Sequence, residues 1–459
     1  MSGPKWKVVR STWLESGGRR LDCNPYMSGA LEAKEALKRV PVVQKLSDVS
    51  ERIFHAGREG RVWVDDPRYG VPFLGSSDIL SADLSGLPLI SRKQVNRNPL
   101  FTLDSGWTLI TRSGTIGRMA YARPEMAGMA CSEHVLRVVP KAEDIPSGYL
   151  YAFLSCRYGV PLVVAGTYGA IIQHIEAEHI AGLDIPRFSE SLEREVHEKI
   201  ERAAVLRTNS ASKIRKVAEE FDAIFNDLGL DGKSELSVSA AQSSALQVRM
   251  DAEYHNPRAT RIRERLKEHS HASIDDWCDD IFLPGIFKRI HVDGPESAAP
   301  YFTGYSLYWN EPEPKGYLSK ATKLFDQVSL VEGMVLVQAF GQEGGLTGRP
   351  VWVGRHLDGT TTTHMLVRLI VKDRSKAAYL YGFLNSLLAY RQISCLTYGG
   401  SIPHFDVAGI KTVLIPRLSA EKEEQIAQQV LAAVAARDEA LQLELDARKI
   451  VESLIQGEQ

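Results

Sequence analysis

The chain has 459 residues, 44% hydrophobic and 24% charged, with a formal net charge of −2 and a pI near 6.7. That length accommodates two or three domains with separate cores, and the near-neutral charge gives no global attraction to nucleic acid or anionic membrane, so any such affinity must come from local patches. No run of about 18 apolar residues occurs and the start, MSGPKWKVVRSTW, lacks a signal-type apolar core, so a cytoplasmic, non-membrane protein is expected.

In chain order, a first set of short segments precedes a long amphipathic stretch. RLDCNPY begins at Arg20, and ERIFHAGREGR ends on a basic loop with Arg58 and Arg61. VPFLGSSDIL follows, then SRKQVNRN with Arg92, Lys93, Gln94 and Arg97. The β-type run WTLITR, from Trp107, leads into TRSGTIGR with Arg112, Ser113, Thr115 and Arg118, and HVLRVV, from His134, is a second β-type run. SGYLYAFLSCRYG reads as helix, and GTYGAIIQHIEAEHIAGLDIPRFS, with Tyr168 and Gln173, closes the set at Ser189. From Ser189, a suitable N-cap, apolar residues recur at three- and four-residue spacing: Leu192, Val196, Ile200, Ile214, Val217 and Phe221. The pattern predicts an amphipathic helix of about 35 residues, on the order of 50 Å long. GLDGKSELSVSAAQSSALQ, rich in Gly, Ser and Ala, then reads as a linker.

The same order returns from Arg249. RMDAEY, DDIFLPGIFKR with Lys288 and Arg289, APYFTGYSLY, SKATK with Lys320 and Lys323, and MVLVQA precede QAFGQEGGLTGR, which carries Gln338, Gln342 and Arg349. HMLVRLI, AAYLYGFLNSLLAY and LTYGGSIPHFDVAGIKTVLIPRLS follow, the last with Tyr398 and Ser401. A second helix is predicted beyond Ser419, with a stripe of Ile426, Val430, Val434, Leu441, Leu445 and Leu454. His174 and His404, Tyr168 and Tyr398, and Pro186 and Pro416 all stand 230 positions apart. A period that long indicates a duplicated domain rather than a solenoid. The expected fold class is α/β (α+β), two duplicated domains related by a pseudo-twofold and joined by two long antiparallel helices in a coiled-coil rod. Helices folded back separately on their own domains are the simpler alternative. The expected boundaries are 1–188 and 249–418 for the domains, 189–228 and 419–459 for the helices, and 229–248 for the linker.

Signals for catalysis are missing. CNPY lacks the second proline of a methyltransferase tetrad, GKS at Gly232 lacks the earlier glycine of a phosphate loop, and neither HExxH nor a metal-spaced His/Cys set occurs. Cys23, Cys131, Cys156, Cys278 and Cys395 show no CxxC and read as small buried apolar residues. His134/His364 and His174/His404 recur in both copies, which a shared fold alone explains. No cofactor and no metal are expected.

LITRSGTIGR, TYGGSIPHF, LIPRLSAEKEEQIAQQV and RMDAEY, duplicated and in order over nearly the whole chain, resemble the DNA specificity subunit of Type I restriction-modification systems. The resemblance implies a non-catalytic, pseudo-dimeric chain. Each domain would read one half of a bipartite asymmetric site on double-stranded DNA, while the helices set the gap and dock two DNA methyltransferase subunits and, through them, a restriction or translocase subunit. The phosphate- and base-binding residue types collect on loops, so the DNA-facing set expected is that of the polar and basic residues named above. The Tyr168, Gln173, Tyr398 and Ser401 turns serve either close backbone approach or turn shape alone. The alternatives are a specificity protein of another methylation-linked phage-defence complex, a coiled-coil scaffold that binds no DNA, and a hydrolase or transferase using the recurrent histidines.

Overall fold

In a computed structural model describing residues 6–16, 24–165, 174–224, 240, 243–247, 249–342 and 344–458, the sequence repeat is a repeat of sheet topology. Most of the 229–248 segment and the 166–173 turn, with Tyr168 and Gln173, lie outside the described residues. Two compact units divide the chain, residues 1–208 with 439–459 and residues 209–438.

The first unit carries β1 (Val43–Lys45), β2 (Ser50–Phe54), β3 (Trp63–Val64), β4 (Gly70–Leu74), β5 (Leu89–Ser91), β6 (Thr108–Thr111), β7 (Met119–Tyr121), β8 (Ala130–Cys131), β9 (Val135–Pro140) and β10 (Asp184–Pro186). They form sheets in the orders β2-β9-β6-β7, β3-β5-β4-β8 and β1-β10. The second unit holds β11 (His271–Ser273), β12 (Asp280–Phe282), β13 (His291–Val292), β14 (Ala298–Phe302), β15 (Pro314–Ser319), β16 (Val335–Gln338), β17 (Pro350–Trp352), β18 (Thr361–Thr362), β19 (Leu366–Ile370) and β20 (Leu414–Pro416). Their orders, β12-β19-β16-β17, β13-β15-β14-β18 and β11-β20, match the first unit strand for strand. Even the parallel pair recurs, as β4 with β8 and as β14 with β18.

The central strands read as continuous apolar runs because both of their faces are covered. On β6 and β9, Ile110, Leu136 and Val138 enter the core beneath the helices, while Leu109 and Val135 enter a smaller core with Leu74, Ile79 and Met126. On β16 and β19 the same alternation sends Val335, Val337 and Val367 one way and Leu336 and Leu366 the other. One polar residue interrupts each central run. Arg137 and Arg368 are 0% exposed, and their guanidinium groups donate to backbone carbonyls of the preceding turn, Ser132 O at 3.0 Å and Thr363 O at 3.0 Å among them. Five N–H donors on a planar fork suit a turn rich in inward carbonyls, at the cost of desolvation, which pushes both groups below the usual arginine range.

The helices that position the sheets are α1 (Ala30–Leu37), α2 (Ser147–Ser155), α3 (Glu190–Ala223, 34 residues), α4 (Pro257–Lys267), α5 (Arg374–Leu384) and α6 (Ala420–Gln456, 37 residues). SGYLYAFLSCRYG is helical to Ser155 and its last residue, Gly159, opens a separate short helix, and AAYLYGFLNSLLAY is cut at Ser386, whose side chain caps a second helix by accepting from Ala389 N. Each long helix starts with the same device. Glu193 pairs with Arg187 at 2.8 Å and accepts from Phe188 N, and Glu423 pairs with Arg417 at 2.7 Å and accepts from Leu418 N. A carboxylate there satisfies an orphan amide and favours the positive helix end.

Inside each unit the long helices pair antiparallel. In the second, Ser210 Oγ donates to Ala433 O at 2.7 Å and Glu220 pairs with Lys422 at 2.6 Å; Val217, Phe221, Ile426, Val430 and Val434 are buried with α5, and Ile214 packs at the edge. Val217 comes so close to α5 that a Cβ on Gly382 would lie 2.8 Å from it. In the first, Val196, Ile200 and Ala204 share a core with Ala447, Val451 and Ile455, and Leu441 is buried, whereas Leu192, Leu445 and Leu454 are half-buried. There the seam also contains a charge pair, Arg207 with Glu444 at 2.8 Å and 3.0 Å, both buried.

Candidate nucleic-acid interface

Loops around the β3-β5-β4-β8 sheet of the first unit gather much of its expected polar set. A cleft of about 460 Å³ is lined by Arg58, Glu59, Gly60, Arg61, Trp63, Glu133 and His134. Its charges are largely tied to each other. Arg61 pairs with Glu133 at 2.8 Å and stacks on Phe73, and Arg97 pairs with Glu59 at 2.5 Å. Burial pushes the Glu133 carboxyl up, but the Arg61 hydrogen bond and the Arg61 and His134 charges outweigh it and hold the group below the usual range. Asn98 and then Arg97, both donating hydrogen bonds, hold Glu59 low as well.

Several residues expected to face DNA are committed inward. Gln94, 4% exposed, accepts from Val62 N at 2.9 Å and donates to Gly60 O at 2.7 Å, so it shapes the loop that carries Arg61. Arg112 donates to Ile175 O at 3.1 Å and pairs with Glu176 at 2.5 Å, and Ser113 Oγ lies 2.6 Å from His134 Nδ1. Arg118 is half-buried with its backbone N–H on Thr111 Oγ1, whereas Arg92 is exposed although its guanidinium donates to Gly70 O. Arg58, Lys93, Arg97 and Thr115 are exposed. The TRSGTIGR loop turns at Gly114 and Gly117, with φ of 76° and 79°, the left-handed region where glycine carries no Cβ penalty.

The second unit assembles its set differently. A cleft of about 500 Å³ is bounded by Arg289, His291 and Lys315, by the rings of Tyr301, Tyr305 and Phe340, and by Thr303, Gln338 and Thr363. Among the described residues its lining contains no carboxylate. Arg289 sits over Phe287 and Tyr301 at 5.7 and 5.5 Å. Behind the cleft, Phe340 stacks on His404 at 5.0 Å and 6°, and Tyr398 lies 4.5 Å from the same imidazole. His364 packs edge-on to Phe287 and Phe340, where burial, then the Arg289 and Arg368 charges, push it below the usual imidazole range.

Two expected turns meet here. Gln342 Nε2 donates to Ser401 O at 3.1 Å and Gly341 N donates to Pro403 O at 3.0 Å. Arg249 of RMDAEY donates to Leu396 O and Thr397 O at 2.7 and 2.9 Å and stacks on Tyr398, which gives that motif a structural task. Arg349 lies over Tyr390, and its carbonyl accepts from Tyr308. Lys288, Lys320 and Lys323 are exposed outside the cleft lining. The buried arginines were missed by sequence reading, although a lone Arg in each of two matched apolar runs is a usable signal.

Among the described residues, no three His, Cys, Asp or Glu side chains are grouped as a metal site, and no helix is long and apolar enough to cross a membrane.

No family model and no curated protein matches the chain. Solved structures similar to it include the Type I restriction-modification S subunit from M. genitalium, at 11% identity over 91% of this chain and 96% of that one, with a TM-score of 0.34. The HsdS subunit from Thermoanaerobacter tengcongensis is similar at 13% identity over 92% and 98%, with a TM-score of 0.29. A chain from a study of type I R-M complex assembly matches at 14% identity over 92% and 100%, with a TM-score of 0.28.

Proposed function

We propose that this chain is a sequence-specific recognition subunit for double-stranded DNA in a Type I restriction-modification system, reading a bipartite asymmetric site and contributing no chemistry of its own. One observation carries the reading: a single sheet topology is built twice, while the loops on equivalent strands carry unlike polar sets. Equal scaffolds with unequal loops suit two unlike half-sites. The segments that agree best between copies run into α3 and α6, which suits common docking surfaces for two methyltransferase subunits and, through them, a restriction subunit.

Phosphate contacts are assigned to the exposed cations Arg58, Lys93, Lys288, Arg289, Lys320 and Lys323. Base contacts are assigned to Thr115, Gln342, Ser401 and the cleft residues. Gln94, Arg112 and Ser113 support the loops from beneath. Methylome sequencing of a host expressing this chain with its neighbouring methyltransferase, against a host lacking only this chain, tests the reading. One bipartite asymmetric methylated motif should appear, and exchanging residues 106–118 should alter one half of it. Methylation that does not depend on the chain would overturn the proposal.

A further inference from the structure

We infer that the cleft of the second unit is a binding site for one nucleotide, its phosphate held by Arg289 and Lys315 and its base laid against Tyr305. Three independent features converge on it. Arg289, His291 and Lys315 bring cationic or protonatable groups to the lining with no carboxylate among the described lining residues, an arrangement that attracts an anion. Tyr305 is 47% exposed and braced edge-on by Trp309 at 5.8 Å, so it offers a fixed ring face, and Tyr301 and Phe340 continue the aromatic wall. Gln338, 7% exposed, donates its Nε2 to Phe340 O at 2.8 Å, while its Oε1 has no hydrogen-bond partner among the described residues.

That acceptor defines selectivity. It is buried and packed against Gly304, where a Cβ would come within 2.9 Å of it, so an approaching group meets it once the Gln338 amide turns toward the cleft. An amino group would satisfy it, and adenine and cytosine present one where thymine presents a carbonyl. The cleft of the first unit also has cations and an exposed ring, Trp63, but its lining contains two carboxylates, and Arg61 is spent on one of them.

The site deepens the DNA reading, since a nucleotide of a strand is one source of such a ligand and a free nucleotide is the other. The test uses the full chain and a fluorescein-labelled six-nucleotide single strand of deoxyadenosine, read by anisotropy at low salt. Tyr305→Ala should weaken binding about 5-fold or more, and Tyr305→Phe should restore it. Lys315→Ala should lower the slope of log affinity against log salt by about 0.7, Lys315→Arg should preserve it, and Lys372→Ala, exposed and outside the cleft, should leave Tyr305-dependent binding in place. The deoxyadenosine strand should outbind a thymidine strand, and Gln338→Met should remove that preference. Displacement by adenosine monophosphate identifies the free nucleotide as a ligand; its failure to displace, with the variants still sensitive, identifies the strand. Equal affinity of wild type, Tyr305→Ala and Lys315→Ala would overturn the inference. If methylation still depends on the chain in that case, the DNA reading survives alone. If methylation ignores the chain while the variants lose oligonucleotide, the cleft stands and the DNA reading falls.

Discussion

The two units share a strand order and both pair cations internally, but they differ in the charge of their clefts and of their helix seams. The first neutralises its cations internally: Arg61 with Glu133, Arg97 with Glu59, Arg112 with Glu176, and Arg207 with Glu444 inside the helix seam. The second leaves a carboxylate-free cleft among its described lining residues and closes its own part of the seam with Ser210 and an edge pair, Glu220 with Lys422. Duplication therefore preserves backbone hydrogen bonding and core alternation while leaving side-chain electrostatics free to diverge.

The comparison breaks most readily at the seam. Arg207→Ala leaves Glu444 buried without its partner and should destabilise the full chain by about 3–5 kcal/mol, while Lys422→Ala should cost about 0–1 kcal/mol. Urea denaturation of both variants separates the cases, and equal midpoints would show that the first seam does not depend on its charge pair. Replacing both partners, Arg207→Met with Glu444→Leu, should recover most of the loss, because an apolar pair of similar volume removes the desolvation cost.

A second contrast lies in the clefts. Glu133→Gln frees Arg61 and should strengthen oligonucleotide binding by the first unit about 2- to 5-fold at low salt, an effect that should vanish near 0.5 M salt. Acid should act in the same direction. The Glu133 carboxyl is held below the ordinary glutamate value, about 4.5, so its contribution is fully present above about pH 4.5 and is lost as pH falls through the lower folded value. Stability of the wild type should therefore decline below pH 4.5 more steeply than that of Glu133→Gln, measured by urea midpoints across pH 3 to 6.

A last effect is one in which the units should agree. Tyr149 donates to Pro186 O at 2.6 Å and Tyr379 to Pro416 O at 2.7 Å, each buried and each tying a helix to the strand before a long helix. Phenylalanine at either position leaves one carbonyl without that donor and should cost about 1 kcal/mol in both cases. A twofold or larger disparity in the loss would show that the shared scaffold has diverged as well.

The amino-acid sequence by itself determined the duplication, both long helices and the central strands. Those rest on periodicity and on an offset of 230 positions, properties local to each segment or common to its copy. The loops were legible as basic and glycine-rich, and the glycines of TRSGTIGR do adopt left-handed geometry. Which basic residues remain available was decided only by tertiary structure. Arg112 is consumed by Glu176, 64 residues away, and Arg97 by Glu59, 38 residues away, partners that no window of sequence brings together. The cleft of the second unit is likewise a tertiary product: Arg289, Lys315, Gln338 and Thr363 come from separate strands and loops, and their shared surface exists only once β13, β15, β14 and β18 pair beside the end of β16. Charge acts over a few ångströms of space, and only the folded chain sets those distances.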